Sequence, residues 1–265
     1  MSALLTDLRE LWSYRSLLWM LVVRELKVRY RSSVLGVAWS FLQPFGMMVV
    51  MTFVFTVIAS APPNIPHYNV FVLSGLLAWN FFSAAVVTAT GSVVANSALV
   101  KKVYFPRLIL PASAVISSMV NFLFALPMWA VVAIVSGHPI YSTLLLLPFV
   151  IVLQLIFCLG LSLLLSTLNV FYRDTQFILE LSMLALFFLT PIWYDINNAP
   201  QPEAGLWVRR LNPVASLVNI YQDLMYWGRS TDLDFVLRTA VTAVAFLLVG
   251  YTVFRRFSSR FGEEL

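Results

Sequence analysis

Long apolar runs, divided by short polar or proline-bearing breaks, dominate this chain from about residue 35 to residue 254. An α-helix rises about 1.5 Å per residue, so about 20 apolar residues cross the hydrocarbon core of a bilayer. Runs of that order extend over about 35–59, 70–94, 108–135, 143–168, 177–193 and 235–254, and they predict six spans. Gln43-Pro44 interrupts the first, where a kink is expected. Ala61-Pro62-Pro63-Asn64-Ile65-Pro66 follows it as a loop, Ser136-Gly137-His138-Pro139 ends the third, and Tyr194-Asp195 closes the fifth.

Two segments do not read as spans. Up to Leu26, the residues Leu4, Leu8, Leu11, Trp12, Leu18, Trp19, Val22 and Leu26 recur at three- and four-residue steps. That spacing predicts an amphipathic helix lying in the membrane interface, although Arg15 falls on the stripe and a helix packed on a soluble partner would look the same. No small-residue cleavage site follows Leu17–Val23, which meets Arg24-Glu25, so a retained N-terminus is expected. The second segment opens with Asn197-Asn198-Ala199-Pro200 and is semi-apolar from Leu206 to Trp227. It is too polar to face lipid and predicts short interfacial or re-entrant helices between spans five and six. Within it, Asn212-Pro213 reads as a helix start, with asparagine as cap and proline in the first turn. The fold class expected is therefore all-α integral membrane, one transmembrane domain over 1–265, with 1–33 as a cytoplasmic amphipathic segment, six spans over 35–254 and a cytoplasmic tail over 255–265.

Composition agrees: 60% of residues are hydrophobic and 11% charged, against about 25% charged in soluble domains. The net charge of +5 changes the picture only through its placement. Thirteen of the seventeen Lys and Arg lie in the N-terminal segment, the connection between spans two and three, the connection between four and five, and the tail. These sit beside apolar runs, not among aromatic platforms, so they report topology and not nucleic-acid binding; both termini are expected in the cytoplasm. The lone Cys158 permits neither a disulfide nor a cysteine cluster within one chain and reads as a small buried residue.

Little in the chain suits catalysis. His67 and His138 read as loop residues, no metalloprotease or hydrolase spacing is present, and the only lysines, Lys27, Lys101 and Lys102, belong to no phosphate loop. If ATP drives this protein, a separate chain binds it. Aromatic residues make up 15% of the chain, with Trp79, Phe81 and Phe82 in the second span and Phe187, Phe188, Trp193 and Tyr194 in and after the fifth. They suit either an interfacial belt or the lining of a channel in which flat faces stack on sugar rings.

Several motifs in order complete the reading: Arg24-Glu25-Leu26-Lys27-Val28-Arg29-Tyr30-Arg31-Ser32-Ser33-Val34-Leu35-Gly36 with Trp39 and Gln43-Pro44; Leu99-Val100-Lys101-Lys102-Val103-Tyr104-Phe105-Pro106-Arg107; Phe171-Tyr172-Arg173-Asp174; Thr190-Pro191-Ile192-Trp193-Tyr194; and Asn212-Pro213. In these the chain resembles, over nearly its whole length, the permease subunits of ABC exporters for lipid-linked cell-surface polysaccharides such as O-antigen, capsule or wall teichoic acid. The resemblance implies a homodimer in the bacterial inner membrane, paired with two copies of an ATP-binding subunit that would hold the ATP and magnesium, with no cofactor in this chain. It further implies that Lys101, Lys102, Tyr104, Phe105, Pro106 and Arg107 couple to the ATPase, and that Arg24, Lys27, Arg29, Arg31, Arg173 and Asp174 belong to a cytoplasmic gate region. The aromatics named above would line the channel, and Asn212 and Pro213 would start an outer re-entrant helix. A drug or small-lipid exporter and a membrane-embedded enzyme acting on lipid-linked sugars, with Asp174 and Asp195 as its acids, are the alternatives.

Overall fold

Each apolar run is a helix in the computed structural model, which describes residues 12–31, 33–58, 65–195, 207–208 and 210–265. Leu4, Leu8 and Leu11 of the expected N-terminal stripe, the loop from Ala61 to Asn64, the turn at Asn197 to Pro200, and Arg209 lie outside the described residues. Helix α1 is Arg15–Tyr30. The first apolar run enters through a 3-10 turn, Gly36–Ala38, continues as α2, Trp39–Phe53, and ends in a π turn, Val54–Ile58. Then follow α3 (Tyr68–Ala95), the short α4 (Ser97–Lys102), α5 (Ile109–Val135), α6 (Leu147–Phe171) and α7 (Asp174–Leu189). Helix α8 is Pro213–Gln222 with a π turn Asp223–Trp227, and α9 (Leu233–Ser258) and the short α10 (Phe261–Glu264) complete the chain.

Five helical stretches among the described residues are long and apolar enough to cross a membrane: Gly36–Ile58, Tyr68–Ala95, Ile109–Val135, Ser142–Phe171 and Leu233–Ser258. Inside them, hydroxyls donate back to the carbonyl four residues earlier, as Ser74 does to Val70 at 2.8 Å, Thr90 to Val86 at 2.8 Å and Thr167 to Leu163 at 2.8 Å. With no water to satisfy them in hydrocarbon, these side chains use the helix's own backbone.

The expected fifth span departs from its forecast limits. Helix α7 has 16 residues and so reaches only about 24 Å; it stops at Leu189, not Trp193. Proline at 191 has no N–H to continue the ladder and disfavours helical backbone at the residue before it, and Thr190 is extended (φ −96°, ψ 133°). The freed carbonyls are met by side chains. Gln222 Nε2 donates to Pro191 O at 3.0 Å, and Tyr68 Oη donates to Trp193 O at 2.7 Å.

Helix α3 is the axis of the bundle. In its most apolar window 78% of residues are buried, against 11% in the first span and 17% in the last. It packs against α2, α5, α6 and α8, and N–H donors at those seams find acceptors: Gln154 Nε2 donates to Ala78 O (2.8 Å), Asn169 Nδ2 to Thr90 O (3.1 Å) and Trp129 Nε1 to Ser74 Oγ (2.9 Å). Helix α9 lies along α6, where Gly160 and Gly250 let the backbones touch. Helix α1 packs along α5, burying the adjacent residues Leu21 and Val22 while Trp19, Met20 and Val28 stay exposed. Of the expected amphipathic stripe, then, only Val22 is buried in this part of the helix.

Candidate functional site: a basic loop over an aromatic underlayer

The connection after α4 has two faces. Val103 turns the chain into extended backbone (φ −129°, ψ 135°), and Lys101, Lys102, Val103 and Tyr104 stand exposed, Tyr104 at 89% of its full surface. Phe105 points the other way and is buried with Val100, Ile109, Phe254 and Phe261 in one apolar cluster. The guanidinium of Arg107 lies 6.0 Å from the Phe261 ring centre. Pro106 O accepts from Ile109 N at 3.0 Å, joining the loop to the start of α5. Residues 100–107 with Ser258 and Ser259 bound an open cleft of about 600 Å³. A loop anchored beneath by Phe105 and by the C-terminal helix presents tyrosine and two ammonium groups on a stiff base. That combination suits docking, since tyrosine is enriched at interface hot spots. Phe105 is the anchor of this platform and not part of its outward face.

The cations expected near a gate are not one cluster. Arg24 Nη2 contacts Glu25 Oε1 at 2.9 Å and Asn96 Oδ1 at 2.8 Å, which ties α1 to the end of α3. Lys27, Arg29 and Arg31 are exposed on α1. Arg173 and Asp174 are exposed at the start of α7, where a carboxylate in the first turn complements the helix dipole. Among the described residues no ion pair joins them to the α1 cations.

The aromatics divide sharply. Trp79, Phe81, Phe82 and Trp193 are buried, at 5%, 2%, 1% and 6% exposure. Trp79 meets Phe82 at 5.6 Å and Phe187 at 5.5 Å between ring centres, Phe82 stacks on Phe157 at 5.9 Å, and Phe187 meets Trp193 edge-on at 4.2 Å. These rings pack together where α3, α6 and α7 meet, and within one chain their faces are turned to one another. Phe188, 62% exposed, and Tyr194, 37% exposed, do present surface, and Phe187 is half-buried.

At the opposite end, Asn212 Oδ1 accepts from Val214 N (3.0 Å) and Ala215 N (3.2 Å) and Pro213 occupies the first turn, so α8 begins with a cap on its otherwise orphaned donors. From Val214 to Tyr226 every residue is buried. Asp223, also buried, accepts from Arg229 Nε at 2.9 Å and Thr231 Oγ1 at 2.7 Å. His138 is buried too and stacks on Tyr226 at 4.9 Å, with the His67 ring perpendicular to it at 5.7 Å. Burial, and then the proximity of His67, hold the His138 imidazole below the usual histidine range. Burial pushes the Tyr226 phenol up to about 12, and its hydroxyl donates to Pro66 O.

A family model described as an ABC-2 type transporter matches residues 16–226. The chain belongs to that family. Among similar proteins, an O-antigen export system permease, RfbA of Myxococcus xanthus, is 35% identical over 257 residues, covering 97% of this chain and 98% of its own length. An RfbA of Klebsiella pneumoniae, of the same description, is 32% identical over 243 residues, with 91% and 92% covered. The polysialic acid transport protein KpsM of Escherichia coli is 20% identical over 241 residues, with 89% and 91% covered.

In this ABC-2 transporter chain the family match begins in α1 and ends at Tyr226, so the platform, the aromatic core and α8 all lie within it, while α9 lies beyond it. Three features carry no signal of their own in the sequence: the Gly160–Gly250 contact, the cluster of His67, His138 and Tyr226, and a cavity beside Arg29. Glycines ninety residues apart announce no contact, and neither do histidines in separate proline-flanked loops. Only Asp223, a carboxylate inside a semi-apolar run, carries a signal of the kind that marks a partnered charge.

Proposed function

We propose that this chain is the transmembrane subunit of an ATP-driven exporter that moves lipid-linked polysaccharide, most closely of O-antigen type, across a bacterial inner membrane. The observation that carries the reading is the 35% identity to an O-antigen export permease over 97% of this chain. The working unit is a homodimer with two copies of a separate ATP-binding subunit, which supplies the nucleotide and magnesium chemistry. The short α7 completes six crossings with the five longer helices, both termini lie in the cytoplasm, and α8 is an outer re-entrant helix. Helix α1 is the interface helix.

On this reading the platform at Lys101, Lys102 and Tyr104 seats in the ATPase, with Arg107 and Pro106 setting its base. Closure of the ATPase dimer pulls on two such platforms. The pull passes through Phe105 and Phe261 into the ends of α5 and α9, which share one apolar cluster. Arg173 and Asp174 lie beside the cytoplasmic gate. Phe188 and Tyr194 supply exposed aromatic surface over which a glycan slides with weak, repeated contacts, since conduction needs binding loose enough to release.

The test is co-purification of the full chain with the ATPase expressed beside it, followed by ATP turnover in lipid nanodiscs. A stoichiometric complex whose hydrolysis rises with lipid-linked glycan supports the proposal. A permease that stays alone, or a complex stimulated by small amphiphiles and indifferent to lipid-linked glycan, overturns it.

A further inference from the structure

One cavity in the bundle gathers several polar side chains on a largely apolar wall. About 310 Å³ in volume, it lies among α2, α3 and α5 and is bounded on one side by the end of α1; Arg29, Gln43, Asn80, Asn121 and Phe81 are among the residues lining it. Asn80 stands near the middle of Tyr68–Ala95 and Asn121 near the middle of Ile109–Val135, so this is polar space at the mid-length of two apolar helices. Tyr30 Oη donates to the Asn121 carbonyl oxygen. That bond fastens the end of α1 to the middle of α5 and leaves the Asn121 NH₂ as a donor. No carboxylate lines the cavity, and among the described residues Arg29 has no ion pair.

Arg29 is exposed on α1 and borders this cavity, so its guanidinium is open to an anionic group. Guanidinium presents a fork of donors matched to phosphate oxygens. Three amides offer donors and acceptors of the sort that read hydroxyls, and Phe81, stacked on Phe122 with centres 5.4 Å apart, supplies an apolar wall. The volume is at the small end of the roughly 300–1,000 Å³ usual for ligand pockets, enough for a single sugar and its phosphate and too small for an oligosaccharide. Arg24, Lys27 and Arg31 line a groove along α1, together with Trp19, and make a basic approach to the same end of the helix.

We infer that this cavity recognises the phosphate-bearing first sugar of the lipid-linked substrate, Arg29 taking the phosphate and Asn80, Asn121 and Gln43 the sugar hydroxyls. The inference rests on the exporter reading. It assigns selection of the substrate's head to a site between α2, α3 and α5, apart from any surface along which the rest of the glycan passes.

The experiment uses the full permease with its ATPase in nanodiscs and measures binding of three probes: a polyprenyl-diphosphate-linked monosaccharide, the same polyprenyl diphosphate without sugar, and phosphatidylglycerol. Arg29→Gln should weaken both diphosphates about tenfold or more, as expected for loss of a charge-assisted hydrogen bond, and Arg29→Lys should recover part of this. Asn80→Leu should weaken the sugar-bearing probe alone. Arg15→Gln, on the same helix but away from the cavity, should change nothing, and co-purification with the ATPase reports that each variant folds. Equal loss of phosphatidylglycerol in Arg29→Gln with no effect of Asn80→Leu would make this a phospholipid headgroup site and overturn the inference. Unchanged binding in folded Arg29→Gln and Asn80→Leu, with glycan-stimulated ATP turnover intact, overturns it and leaves the exporter reading standing. A wild-type complex that neither binds nor responds to lipid-linked glycan overturns both.

Discussion

Gly160 and Gly250 offer the sharpest perturbation, because at their contact nothing flexible can move aside. A methyl group built on Gly250 would lie 2.0 Å from the carbonyl oxygen of Gly160, and one built on Gly160 would lie 2.3 Å from the backbone nitrogen of Leu247. Ordinary carbon contacts sit at about 3.5–4.0 Å, so either substitution forces α6 and α9 apart by roughly 1.5 Å. Parting by even 0.5–1 Å forfeits about a quarter to a half of the dispersion energy at each affected contact. Overpacking of this kind costs about 1–3 kcal/mol, and a clash of backbone on backbone belongs at the upper end. The natural reference is Gly46→Ala, since a methyl group there meets nothing within 4 Å. We expect Gly250→Ala and Gly160→Ala to lower the unfolding midpoint in detergent clearly and Gly46→Ala to leave it unchanged or slightly raised. Because α9 leads through Phe254 to Phe261 beneath the Tyr104 platform, the two destabilised variants should also lose ATPase partner in co-purification. Midpoints for Gly250→Ala and Gly46→Ala that coincide would refute the helix contact as described.

Tyr104→Ala removes an exposed side chain and should leave the melting temperature of the isolated permease unchanged while loosening ATPase association and lowering transport-coupled ATP hydrolysis; Phe105→Ala should do the reverse first, lowering the melting temperature by excising a buried ring at a cost of about 3–5 kcal/mol. Asp223→Ala strips Arg229 and Thr231 of their acceptor and should cost about 1–2 kcal/mol, the lower part of the range for charged hydrogen bonds because Arg229 is half-exposed, read as earlier melting. Stability should fall on acidification in a step that wild type shows and His138→Gln lacks. The folded pKa of His138 lies below its unfolded value of 6.5, so the unfolded chain takes up the proton first. The stabilisation is complete above about 6.5, is lost as pH falls below it, and levels off once pH is under the folded value; a melting temperature independent of pH from 7.5 to 5 would contradict this.

The long helices were legible in the sequence because hydrocarbon imposes one demand, backbone self-satisfaction over about 20 residues, and apolar runs answer it directly. The fifth run shows the limit of that logic. Hydropathy carries on through Ile192 and Trp193, whereas helix geometry ends at Thr190 because Pro191 follows. The two criteria usually coincide, and here side chains from α3 and α8 accept the cost of breaking them apart. The platform was legible as charge and aromaticity, but which of its residues face inward was not: Tyr104 and Phe105 are neighbours in sequence and opposites in burial, and only Phe254 and Phe261, 149 and more positions away, decide between them. The aromatics expected along a channel were ambiguous in the sequence for a related reason. A tryptophan next to phenylalanines on an apolar helix is consistent with a lining or a core, and only the partner rings, Phe157 and Phe187, distinguish the two.

That division bears on how transport is organised under the proposed function. If Trp79, Phe82 and Trp193 lined the path, opening it would require these rings to leave stacks with centres 4.2 to 5.9 Å apart. Each aromatic pair is worth about 0.5–1.5 kcal/mol beyond its buried area, so the core would have to be dismantled once per cycle. Keeping them packed makes the α3, α6 and α7 assembly a rigid body. Motion then falls to a helix outside that assembly, α2, with 11% of its window buried, whereas α9 moves with α6, to which the Gly160–Gly250 contact ties it. The path for a glycan would run along surfaces such as those of Phe188 and Tyr194, between units and not through one. Alanine at Trp79 should consequently cost stability before it costs transport, and alanine at Phe188 should impair transport of a folded, fully assembled exporter.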